Sequence, residues 1–100
     1  MYRETVVLKN SAGSGFVIPL GPVNLVFVVA RSGVVGCGAF DVAALGNFGY
    51  PAARVRPVRS DSIRTLEDLL AGVIKEANQA AGELGVAAGM SGREALDLLS

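Results

Sequence analysis

Between Asn10 and Phe40 the chain runs for 31 residues with a single charge, Arg31. A stretch this apolar must be covered by protein or enter a bilayer. Pro19, Gly21, Pro22 and Asn24 interrupt its uncharged part, Asn10 to Ala30, so a membrane span is not expected. Its β-branched and aromatic content instead predicts strands at Gly15 to Leu20, Val23 to Ala30 and Val34 to Ala39, preceded by one at Thr5 to Leu8. Asn10 to Ser14, Gly21-Pro22 and Ser32-Gly33 supply the turns, which implies an antiparallel meander. In the third strand Val23, Leu25, Phe27 and Val29 face one way while Val26, Val28 and Ala30 face the other. Both faces of the sheet are therefore apolar. One hundred residues make one domain, and its helices can cover only one of those faces. A second copy of the chain is the expected cover for the other, so self-association is predicted.

The second half of the sequence has a different character. Five of the charged residues lie in 1–50 and thirteen in 51–100. Asp41 is placed to cap a short helix through Leu45, ended by Gly46, Asn47 and Gly49, and Ala53 to Val58 reads as a further strand. From Leu66 the period changes. Leu66, Leu69, Leu70, Val73, Ile74, Ala77, Ala81 and Leu84 follow helical spacing behind an N-cap at Thr65, with a break or kink expected at Gly72 and a stop at Gly85. Ser91-Gly-Arg-Glu94 is a capping box for a last short helix carrying Ala95, Leu96 and Leu99. The expected fold is α+β: a single domain over 1–100, with strands and a helix near 41–45 in residues 1–58 and helices in 64–100. Four to five antiparallel strands, mostly N-terminal, would be covered on one face by the C-terminal helices.

Composition removes several function classes. The chain has no histidine, which excludes Ser-His and Cys-His catalysis and imidazole metal sites, and no metal or cofactor is expected. Asn10 to Gly15 lacks the Gly-Lys-Ser/Thr ending of a phosphate loop, and Gly36-Cys-Gly38 lacks the third glycine of a dinucleotide fingerprint. Nine basic residues balance nine acidic ones, which argues against nucleic acid as a partner. Glu4, Lys9 and Asn10 break up the N-terminus, so no signal peptide is read there. The lone Cys37 cannot form an internal disulfide and suits a reducing compartment, so a cytoplasmic location is expected.

Three ordered stretches carry a family resemblance. Gly36-Cys-Gly-Ala-Phe-Asp-Val-Ala-Ala-Leu45, Arg64-Thr-Leu-Glu-Asp-Leu-Leu70 and Gly85-Val-Ala-Ala-Gly-Met-Ser-Gly-Arg-Glu-Ala-Leu96 resemble the signature segments of the YunC-like family. That family is a bacterial and archaeal domain of unknown function. The resemblance implies a small α+β domain whose N-terminal strands form a tetramerisation region, hence a homotetramer. It brings no established activity.

Two sets of candidate site residues stand out. Cys37 is the one side chain with intrinsic nucleophilic capacity, and Gly36 and Gly38 would let a substrate approach the backbone. A reactive thiol needs a lowered pKa, which an arginine or the turn at Asp41 would have to supply; the competing reading is a small buried hydrophobe. Asp41 is a candidate general base, although a helix cap is the stronger expectation. Arg54, Arg56, Arg59 and Arg64 against Asp61 give residues 51–64 a charge of +3. Arginine's planar fork suits phosphates and carboxylates, so Arg54 and Arg56 are candidate anion ligands, against pairing with the acidic helices. Gly89 to Gly92 beside Arg93 is a further candidate anion site at a helix start. The leading expectation is a non-catalytic oligomeric module binding a small anionic metabolite through Arg54, Arg56 or Arg93. The alternative is a small-molecule enzyme using Cys37, with Asp41 and an arginine orienting substrate.

Overall fold

The β-branched runs do form strands. The computed structural model describes residues 1–58 and 60–100, so Arg59 of the arginine cluster lies outside the described residues. Strands β1 (Tyr2–Val7), β2 (Ala12–Pro19), β3 (Asn24–Val29) and β4 (Val34–Gly36) build the expected antiparallel meander. After β4 the chain makes helix α1 (Val42–Gly46) and strand β5 (Ala52–Arg56). Helix α2 (Leu66–Ala71), strand β6 (Val73–Ala77), helix α3 (Gln79–Glu83) and helix α4 (Gly92–Leu99) follow. All six strands lie in one sheet in sequence order.

Two expectations need correction. The sheet is mixed rather than antiparallel, because β4 and β5 pair in parallel. Residues 37–51 are too long for a tight turn and carry α1, the usual connection between parallel neighbours. The second correction concerns 66–84, which is two helices with a strand between them. The break expected at Gly72 is complete: its backbone is extended (φ −68°, ψ 171°), and the chain leaves α2 as β6 against β5. A Cβ on Gly72 would meet the Arg56 carbonyl oxygen at 2.9 Å, so this close approach suits glycine. Val73 and Ile74 are β-branched, and Ile74 completes the buried layer beside Val55.

The two faces of the sheet are covered unequally. On one, Val26, Val28, Val35, Ala53, Val55 and Ile74 pack against Leu66 and Leu69 of α2 and Ala95, Leu96 and Leu99 of α4. On the other, α1 covers only the β4–β5 end, where Val42 packs on Val34 and Ala52 with Phe27, Phe40, Leu45 and Tyr50 around them. One cross-strand row runs the width of this second face: Arg3, Phe16, Phe27, Gly36, Arg54 and Glu76 are successive partners from β1 to β6. The Phe16 and Phe27 rings stack with centroids 4.9 Å apart, Phe40 follows at 5.3 Å, and the Arg3 guanidinium lies 5.8 Å from the Phe16 ring centre. The Phe40 ring fills the space where a side chain on Gly36 would stand. Among the described residues no helix is long and apolar enough to cross a membrane.

Candidate functional site

The chain path itself creates a cleft. After β4 the backbone turns onto the face covered by α1, and after β5 it turns onto the face covered by α2. Two parallel neighbours whose onward connections part to opposite faces leave a crevice at their carboxyl ends, the place where sheets of this kind hold ligands. A cleft of about 660 Å³ lies there. Cys37, Gly38 and Ala39 from the end of β4 form one part of its lining, and Arg54, Val55, Arg56 and Pro57 from β5 form another. Leu20, Pro22 and Val23 of the β2–β3 turn, Arg64 ahead of α2, and Lys75 of β6 complete the rim.

The electrostatics of this cleft are set by which cations are already engaged. Arg54 donates from Nε to Glu76 Oε1 at 2.8 Å and from Nη1 to the Gly38 carbonyl at 3.3 Å, so its charge is locally paired and it braces the β4 end. Arg64 donates from Nε to Ser62 Oγ at 3.1 Å. Among the described residues, no carboxylate lies within ion-pair distance of Arg56, Arg64 or Lys75. Asp61 is the one acidic residue in the lining. Lys75 arrives by a register shift: Arg54 pairs with Glu76 but Val55 pairs with Ile74, which makes Lys75 the extra residue of a bulge. A bulge re-aims a side chain beside a site, and here it adds an ammonium to three guanidiniums.

The candidate residues divide accordingly. Cys37, Arg54 and Arg56 share the cleft. Cys37 is 7% exposed, packs with the main core on its other side, and its N–H continues the β4 ladder to the Val26 carbonyl at 2.9 Å. Asp41 stands elsewhere. It caps α1, accepting the Ala44 N–H at 3.0 Å, and borders a separate shallow depression with Leu25, Phe40 and Leu45. Arg93 lies outside the cleft, in a groove of about 560 Å³ between β1 and α2 whose lining shares Arg64 with it. Its Nη2 donates to the Val7 carbonyl at 2.7 Å, and its Nε sits 3.9 Å from Asp97. The amides at the start of α4 are engaged as well: Gly92 N–H bonds the Gly72 carbonyl and Glu94 N–H bonds Ser91 Oγ. Lys75 and the Leu20 to Val23 turn were not legible as site residues. Reading 66–84 as helix hid the first, and only the three-dimensional placement of the turn reveals the second.

Fold and cleft together define a small mixed-sheet α+β protein with a basic crevice at the carboxyl ends of a parallel strand pair. The model of a domain of unknown function, DUF1805, matches residues 36–99, from the end of β4 through α4. The uncharacterized protein YunC of Bacillus subtilis (strain 168) is 32% identical over 91 residues, covering 91% of this chain and 89% of that protein. A crystal structure of a protein of unknown function from Thermoplasma acidophilum, TA1206, superposes with a TM-score of 0.87 at 25% identity, covering 99% of this chain and 92% of that one. The chain belongs to the DUF1805 family, the YunC-like proteins.

Proposed function

We propose that the protein is a self-associating binding module that holds a small organic anion in the cleft at the ends of β4 and β5. The observation that carries this reading is the meeting of Arg56, Arg64 and Lys75 around one crevice with a single acidic residue in its lining. Guanidinium and ammonium groups held at a concave, partly apolar site bind oxyanions far better than the same groups scattered over a surface. Arg54 contributes as a brace, tied to Glu76 and to the Gly38 carbonyl at the end of β4. Binding of inorganic phosphate, followed by calorimetry at low ionic strength, tests the reading. Arg56→Ala is expected to weaken it about tenfold, the worth of one charge-assisted hydrogen bond. Arg93→Ala is expected to leave it unchanged. Equal binding by wild type and Arg56→Ala contradicts the assignment.

Self-association is supported by the half-covered face of β1 to β3, where Phe16 and Val29 remain partly open to solvent beyond the reach of α1. The family resemblance supports a tetramer assembled through these strands. A cytoplasmic setting suits the free thiol of Cys37.

One observation favours a second reading, an enzyme with Cys37 as nucleophile: the thiol borders the cleft. Glu76 is committed to Arg54 and Asp41 to the α1 cap, so neither serves it as a base. Alkylation of Cys37 near neutral pH only after unfolding supports the binding module. Fast alkylation of the folded protein, slowed by phosphate, supports the enzyme.

A further inference from the structure

Resting on the reading of the cleft as an anion site, we propose that its ligand is amphiphilic: an oxyanion head on the Arg56 and Arg64 guanidiniums, with an aliphatic body against Leu20, Pro22 and Val23. The lining of the cleft is apolar as well as basic. Leu20 and Val23 are 55% and 60% exposed, yet with Pro22 they stand together in one turn on the rim of the crevice that holds the cations. Single exposed aliphatics are ordinary on protein surfaces, whereas a set gathered in one turn on the rim of a basic cleft offers two chemistries to one molecule.

The two walls are also held in a fixed relation. The Asn24 side chain, immediately after the turn, donates from Nδ2 to the Arg64 carbonyl at 3.0 Å and so ties the apolar tip to the basic segment. Within the turn, the Leu20 N–H bonds the Val23 carbonyl at 2.7 Å, Gly21 takes the left-handed conformation at φ +88°, and Pro22 fixes its own φ. A rigid wall loses little freedom when a ligand settles on it, so apolar contact there converts efficiently into affinity. An inorganic ion meets only the basic side and leaves the Leu20 to Val23 surface wet.

Calorimetry at constant low ionic strength separates these cases, with inorganic phosphate and the carboxylates acetate, butyrate, hexanoate and octanoate as probes. Affinity is expected to rise about fourfold for each methylene that reaches the wall, then level off where the chain leaves it. The double variant Leu20→Ser/Val23→Ser alters only well-exposed side chains, so it is expected to fold normally. It flattens the chain-length series while leaving phosphate and acetate binding as in the wild type. A series flat in the wild type, with phosphate still bound, overturns the amphiphilic ligand and leaves the anion site standing. A steep series that survives in the double variant overturns the Leu20 to Val23 wall. Absence of binding by phosphate and all four carboxylates overturns the anion site itself.

Discussion

Asn78 is the residue on which three elements converge. Its Nδ2 donates to the carbonyls of Val42 in α1 and Tyr50 ahead of β5, both at 2.9 Å, and its Oδ1 accepts the N–H groups of Ala52 (3.2 Å) and Ala81 (3.0 Å). Every hydrogen-bonding position of the amide is used. Removing it strands four backbone groups in a half-buried setting, so Asn78→Ala is expected to lower unfolding free energy by about 3 kcal/mol in urea denaturation. Asn78→Asp keeps the acceptors and loses the donors, and should recover only part of that loss. Gly36 is the complementary case, a residue defined by what it lacks. A Cβ there would clash with the edge of the Phe40 ring, so Gly36→Ala is expected to cost about 2 kcal/mol as Phe40 is pushed from Phe27. Next to Cys37, Gly36 is expected from sequence to let a substrate approach the backbone, but the Phe40 ring takes the space beside it. Local sequence shows that a glycine is present without showing which side chain takes its space.

The elements were legible wherever a local signal was decisive. Thr65 and Ser91 both form complete capping boxes: Thr65 Oγ1 accepts the Asp68 N–H at 3.1 Å, and Glu94 Oε1 accepts the Ser91 N–H at 2.9 Å. Backbone N–H groups, chiefly that of Arg64 for Asp68 and that of Ser91 for Glu94, hold both carboxyls below the usual carboxylate range. A depressed folded pKa means that the stabilisation is fully present above the ordinary carboxylate values and is lost as pH falls through the folded ones. Asp68→Asn/Glu94→Gln is therefore expected to narrow the gap between thermal midpoints measured at neutral pH and below the carboxylate range. An unchanged gap contradicts this. The middle of 66–84 was not legible, because Val73, Ile74 and Ala77 satisfy helical spacing as well as they satisfy a strand. The deciding facts are non-local. β5 needs a partner, and Gly72 opens into the extended region to provide one.

At the scale of the whole molecule, the excess of apolar strand over helical cover was plain in the sequence. What lay beyond sequence was the direction of β5. Its parallel pairing with β4 sends α1 and α2 to opposite faces, and that parting opens the cleft which gathers Cys37, Arg54 and Arg56 while leaving Asp41 and Arg93 outside. For the open face, light scattering after size exclusion is expected to give four times the 10.2 kDa chain mass. Phe16→Glu/Val29→Arg should release smaller species that keep the wild-type far-ultraviolet dichroism, since it places charges on the half-covered face. A wild-type monomer at micromolar concentration contradicts the assembly. The site is tested most directly by backbone amide chemical shifts during titration with hexanoate. The shifts are expected to concentrate at Leu20 to Asn24, Cys37 to Ala39, Arg54 to Arg56, Arg64 and Lys75. Shifts centred on Arg93 and β1, or none at saturating hexanoate, would contradict it.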